Sequence, residues 1–382
     1  MGEGTAPLRD GGKGIGRDGG KGMGRDGGQG IMSSGASVTR APFAGGGAVW
    51  QPESMRRPLV PLTLVAGIVL LAALASFGRA SGDDPQQEEA PGLAPVRVAA
   101  GPDAESSLLA RTLVALLALQ DVDARVVSFS DALDTRQALE RGDVELRAAY
   151  TGEAWLEALG RADPPGDPRA SFEQVHDHDA ELGLVWFRPR FQPGLDAPPA
   201  NATFAFVVAG PPSVDADLST VSQLASRLSA QPDATLCVDP EFASRPDGLR
   251  AVLAAYSVRS DQPVLAAAPP DAVRGVRAGE CIAGLTTATD GLAWAAGLRP
   301  LVDDLAVFPA FVVLPQARRD ALVERPAIST AIGPMADQLT TALLGRLNAR
   351  VTAGEPLEEV AAAGALELVR RAGGEVPTDV GG

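Results

Sequence analysis

Lysine is almost missing from this chain: Lys13 and Lys21 are the whole complement, so every later positive charge is an arginine. Nine basic and five acidic side chains precede residue 80, and the net charge of −15 therefore leaves −19 on the remainder. A body that acidic argues against nucleic acid as a partner. Histidine is equally scarce, with His176 and His178 confined to one "HDHD" stretch, so a Ser-His-Asp triad has no support. Neighbouring positions diverge on a helix, and ligands need i, i+4 spacing to share a face. The stretch therefore reads as an exposed helix surface; no metal and no cofactor is expected. The two cysteines, Cys237 and Cys281, lie in the short apolar segments "ATLCVD" and "GECIAGL". They are either one disulfide of an oxidising compartment or two unpaired core thiols. Aromatic residues are only 4% of the chain, yet Tyr150 and Trp155 flank the glycine of "YTGEAW". Either a buried turn or a binding pocket accounts for that spacing.

What is present begins with glycine. Residues 1–54 carry three eight-residue units, "RDGGKGIG", "RDGGKGMG" and "RDGGQGIM", with too little apolar surface to offset their backbone entropy. This tail is expected to be disordered. From Met55, itself a candidate start, Arg56 and Arg57 precede an uncharged run over residues 59–77. Residues 55–80 have the layout of a signal peptide or membrane anchor, and the flanking charges put the C-terminal body outside the cytoplasm. The preferred reading is an uncleaved anchor; the alternative is cleavage after Ala80. No cysteine stands directly after the run, which excludes a lipid-anchored lipoprotein. Residues 81–94 form a polar linker.

The body alternates strand-like and helix-like segments. "VRVAAG", "ARVVSF" and "VELRAAY" read as strands; "AESSLLARTLVALLALQ" and "SDALDTRQALERGD" read as helices, the second with Ser130 as its N-cap. A second series runs from "NATFAFVVAG" to "CIAGLTTATDG", and three helical segments close the chain. Two βαβ series predict a parallel α/β protein of two lobes, each of roughly 100 residues, with a cleft between them.

Six segments, in order, carry a family resemblance: "ALERGDVELRAAYTGEAWLEALG", "ELGLVWFRP", "NATFAFVV", "DPEFASRPDGLRAVLAAY", "AGECIAGLTTATDG" and "VFPAFVVLPQARRDAL". The chain resembles the substrate-binding proteins of ABC importers for glycine betaine, choline and related osmoprotectants. The resemblance implies a type II periplasmic-binding-protein fold whose second lobe is inserted in the first. Lobe 1 would comprise residues 95–201 and 305–376 and lobe 2 residues 202–304, with crossings near Pro199–Phe204 and Val302–Phe308. A quaternary ammonium cannot donate hydrogen bonds, so such a site holds it by cation–π attraction. The resemblance assigns Tyr150, Phe204 and Phe311 to an aromatic cage and Arg245 to the ligand carboxylate.

Departures from the family pattern sharpen the expectation. The cage position in "AGLTTATDG" is Thr287, the hydroxyl position after "YTG" is Glu153, and the family's lysine position is Gly101. Losing a lysine and gaining a carboxylate make the pocket more negative. They point to a cation without a carboxylate, such as choline, or to a larger zwitterion with its charges differently placed. Trp155 is expected in the core, and Asp290 as a turn or cap residue. Arg245 has a local alternative, neutralising Asp247 or Glu241 at the surface. The chain is expected to be a non-enzymatic solute receptor that delivers its ligand to a permease with an ATPase partner. Alternatives are a binding protein or sensor for another solute, such as an ergothioneine-like betaine, and an exported enzyme using Glu153 and Asp290.

Overall fold

Residues 93–213 and 215–375 are described by a computed structural model. Their strands form two sheets. The first contains β1 (Val96–Ala100), β2 (Ala124–Ser128), β3 (Leu146–Tyr150), β4 (Leu184–Trp186) and β10 (Val313–Arg318), in the order β2-β1-β3-β10-β4. The second contains β5 (Phe204–Ala209), β6 (Leu236–Val238), β7 (Val264–Ala266), β8 (Ala283–Thr287) and β9 (Leu298–Pro300), in the order β7-β6-β8-β5-β9. The second sheet is thus inserted in the chain between β4 and β10. Helices α1 (Ala104–Ala118), α2 (Ala132–Arg141), α3 (Thr151–Ala158) and α4 (Pro168–Glu181) link strands of the first sheet. The second is served by α5 (Val221–Ala230), α6 (Pro240–Ser244), α7 (Leu249–Ala255), α8 (Pro269–Ala278) and α9 (Gly291–Ala295). The chain closes with α10 (Arg319–Glu324), α11 (Ala327–Gln338), α12 (Thr341–Thr352) and α13 (Leu357–Arg371).

The sheets are mixed where the sequence predicts parallel ones. β1, β2 and β3 are parallel, but β10 is antiparallel to β3 and β4, and β5 is antiparallel to β8 and β9. The reason is connectivity. β5 and β10 are the first strands after each passage between the sheets, so they enter from the end at which their neighbours leave. The two connecting segments lie side by side. Asn201 bridges Val312, and Ala202 N donates to Phe311 O at 2.9 Å. The second passage therefore extends beyond Phe308 and carries Phe311 itself.

Helical periodicity builds the first core: Leu109, Leu113 and Leu116 of α1, all buried, pack with Val98, Leu344 and Val360. Helix α2 is capped one residue later than predicted, because Asp131 and not Ser130 accepts the Leu133 N–H at 2.8 Å. Cys237 of β6 and Cys281, just ahead of β8, are joined in a disulfide with a Cα–Cα separation of 5.7 Å. No helix among the described residues is long and apolar enough to cross a membrane. The glycine-rich tail (1–54), the signal or anchor segment (55–80, with its apolar run 59–77) and the linker up to residue 92 lie outside the described residues.

Beneath β3 lies a buried charge network that the sequence reading missed. Asp179, taken as part of an exposed helix face, is fully buried. Its carboxylate accepts both Arg136 terminal nitrogens (3.0 and 2.6 Å), the Trp186 indole N–H (2.7 Å) and Gln316 Nε2 (2.6 Å). Gln316 in turn accepts from Arg147 Nε at 2.7 Å, and burial pushes that guanidinium down to about 10. Helices α2 and α4 are thereby tied to β3, β4 and β10. In the same stretch, His176 and His178 each pair with the neighbouring aspartate, and the His176 ring also packs against Phe172 at 5.2 Å.

Candidate functional site

Tyr150 is the last residue of β3 and the N-cap of α3, so the chain turns into a helix at the carboxyl end of the sheet. Gly152 makes the next contact feasible. A Cβ there would lie 2.7 Å from the Phe311 ring, so only glycine lets that ring rest on the first turn of α3. Trp155, one turn further on, is buried as scaffold. At the matching end of the second sheet, β8 finishes at Thr287, and Asp290 caps α9 by accepting Ala293 N–H at 2.8 Å.

These ends face a cavity of about 510 Å³ whose lining includes Tyr150, Glu153, Ala202, Thr287, Phe311 and Asn348. Four carboxylates border it (Asp103, Glu105, Glu153 and Asp290) and, among the described residues, no arginine, lysine or histidine. Burial raises the Glu153 carboxyl to about 7; Arg147 pulls it down, while Glu157, Asp103 and Glu105 add to the rise. Burial likewise raises Glu105, against hydrogen bonds that favour its ionised form. Tyr150 Oη donates to Glu105 Oε1 at 2.8 Å, and Asn348 Nδ2 donates to Glu105 Oε2 and, at 2.9 Å, to Thr289 O. Glu105, Asp103 and Asn348 escaped the sequence reading. An acid in the first turn of a helix reads as a complement to the dipole, and a lone asparagine in a helix carries no pattern.

The wall across from α3 is a close helix contact. A Cβ on Gly291 would lie 2.5 Å from Asn348 O, and one on Gly345 2.2 Å from the Trp294 indole nitrogen. Helix α9, which links β8 to β9 of the second sheet, thus meets α12, which follows the last strand of the first, at near-backbone distance.

Four of the six sequence-predicted site residues come together here: Tyr150, Glu153, Thr287 and Phe311. The other two do not. Phe204 is the cross-strand neighbour of Thr287, but its ring packs against Phe242 (5.0 Å) and Phe308 (6.3 Å) and borders a second cavity of about 510 Å³. Alternation along the connecting segment explains the division, since Ala202 lines the first cavity and Asn201 and Thr203 line the second. Arg245 is exposed and pairs through two nitrogens with Asp247, the local alternative that the sequence left open. The Asp290 carboxylate is committed to its cap and to the Thr286 hydroxyl, which donates to it at 2.5 Å.

Two α/β sheets joined by adjacent connections, with a polar cavity at the carboxyl ends of their strands, define a two-lobed solute-binding protein. The chain belongs to the family described as the substrate binding domain of ABC-type glycine betaine transport system, whose profile matches residues 94–366. A curated glycine-betaine-binding protein of Pseudomonas aeruginosa is 28% identical over 263 residues, which is 65% of this chain and 79% of that protein. The structure of apo YehZ from Escherichia coli has a TM-score of 0.65 at 24% identity, covering 73% of this chain and 99% of its own. A structure titled glycine betaine/carnitine/choline ABC transporter gives 0.62 at 22%, covering 73% and 98%. The protein is thus a substrate-binding protein of an ABC importer for glycine betaine-type solutes, a solute receptor and not an enzyme by family. Such receptors work outside the cytoplasm with permease and ATPase subunits.

Proposed function

We propose that the cavity between the two sheets captures a small quaternary-ammonium compound without a carboxylate, a choline-type cation, and that the liganded form delivers it to a permease. The observation that carries this reading is the lining itself: aromatic faces at Tyr150 and Phe311, four carboxylates and no basic side chain among the described residues. A cation gains from both the rings and the acids. A betaine carboxylate would meet those acids with no guanidinium to offset them, because Arg245 is spent on Asp247. Residues 95–201 with 305–376 and residues 202–304 act as the two lobes, and the paired connections serve as their hinge. An enzyme working through Glu153 and Asp290 gains little, since Asp290 is occupied as a cap and, among the described residues, no serine, cysteine, histidine or lysine lines the cavity beside Glu153.

A thermal-shift panel of choline, glycine betaine, carnitine and ergothioneine tests the reading. Choline at about 100 times its dissociation constant is expected to stabilise the protein by about 2.7 kcal/mol. A response to betaine alone overturns the carboxylate-free preference, and no response to any quaternary amine overturns the class.

Binding is also expected to depend on pH. The cation favours ionised Glu153, whose carboxyl lies at about 7 before binding. Choline affinity therefore rises, by about tenfold, between pH 5.5 and 8, with protons released on binding near neutrality. For the unliganded fold the sign is opposite. A raised carboxyl favours the protonated form, so this group's stabilisation is full at low pH and lost as pH rises through 7. Titration calorimetry in buffers of different ionisation enthalpy reads the released protons; a flat profile in the wild type, or an unchanged one in Glu153→Gln, contradicts the assignment.

A further inference from the structure

The environment of Tyr150 points to a residue outside the family motif as the source of cation selectivity. Glu105 borders the cavity beside Tyr150 and is held from two sides. Its carboxylate receives the Tyr150 phenol at 2.8 Å through one oxygen and the Asn348 amide through the other. We infer that Glu105 is a specificity-determining positioning residue, which acts through Tyr150 to make the cavity selective for a permanent cation over a neutral or zwitterionic molecule of the same shape. The inference rests on the choline-type reading and names the group that enforces it.

Three observations carry it. Tyr150 and Asn348 each aim a donor at one Glu105 oxygen, which favours the ionised carboxylate against its burial, and a phenol donating to that anion is polarised toward its ring, deepening the negative face that a quaternary ammonium meets. The carboxylate is held in place from both sides, so its field is fixed before the ligand arrives and no side-chain ordering is needed on binding. Asn348 Nδ2, which holds the second oxygen, also donates to Thr289 O in the loop between β8 and α9. The anion beside the cage is thereby linked through one amide to the backbone of the second sheet's unit. Charge at Glu105 and closure across the cavity thus share a partner. Glu153 and Asp290 also border the cavity, but neither has a hydrogen bond to a ring that faces the ligand. Asp103 accepts the Ser106 N–H and caps α1.

The test separates charge from shape. Choline and its uncharged carbon isostere, 3,3-dimethyl-1-butanol, are titrated calorimetrically into the wild type, E105Q and E105D. Glutamine keeps the length and one acceptor but removes the charge. In E105Q, choline affinity is expected to fall about ten- to fiftyfold while the isostere changes by less than about twofold; in E105D, which keeps the charge, most of the preference for choline returns. An equal loss for both ligands, or none for choline, overturns the role of Glu105 while leaving the quaternary-ammonium reading standing. Failure of choline to bind the wild type overturns both. Should E105Q not fold, Tyr150→Phe replaces it, because it breaks the link between ring and carboxylate and keeps the ring. A selective loss of choline affinity is then expected, and unchanged selectivity overturns the inference.

Discussion

Tyr150→Ala is expected to weaken choline binding about thirtyfold or more, which corresponds to about 2 kcal/mol of desolvated cation–π attraction. The loss has two sources. The ring that ends β3 and faces the cavity is gone, and Glu105 loses the phenol that occupies one of its oxygens. Phe311 stays on Gly152, so a second aromatic face survives and some binding remains. The ring also packs against the first core, so the unliganded variant melts somewhat earlier. Affinity and stability must therefore be measured separately, by calorimetric titration and by urea unfolding. Unchanged affinity for choline in a folded variant would relegate Tyr150 to packing.

Asp179→Ala is the substitution with the largest expected cost in stability, about 3–5 kcal/mol, the usual effect of removing one partner from a buried charge pair. The alanine variant would strand the Arg136 guanidinium, the Trp186 indole and the Gln316 amide in the interior without an acceptor. Burial by itself would raise the Asp179 carboxyl, but the hydrogen bonds and charge of Arg136, with the indole, hold it below the usual aspartate range. A lowered carboxyl stabilises the fold above its unfolded value of about 4, and that contribution is lost as pH falls through the folded one. Urea unfolding at pH 7 reads the cost directly. A loss under about 1 kcal/mol would mean that the network does not brace β3 and β10. Ligand affinity is expected to fall too, since β3 carries Tyr150 at its end.

The fold was legible where residues repeat in patterns. The alternation of "VRVAAG", "ARVVSF" and "VELRAAY" with leucine-rich helical stretches follows from side chains facing a shared core, and the strands lie where that reading puts them. The antiparallel placement of β5 and β10 was not legible, because direction depends on where the chain crosses and not on local composition. In the site, Tyr150, Glu153, Thr287 and Phe311 were readable from ordered motifs at strand ends. Glu105 and Asn348 were not: each is one polar residue among several in its helix, 243 positions apart, and only packing brings them together. Asp179 was hidden by its neighbours, since "HDHD" looks solvated in any window short enough to read. Arg245 could have been placed from "RPD" alone, because an aspartate two residues on is its partner.

The cavity between the sheets is proposed to hold a cation on aromatic faces bordered by acids. A crystal structure of the protein with choline tests it most directly. The quaternary nitrogen is expected within about 6 Å of the Tyr150 ring centroid, beside Phe311 and away from Arg245. Choline seated in the cavity bordered by Phe204 and Phe308, or a crystal grown in saturating choline with nothing bound at Tyr150, would contradict it.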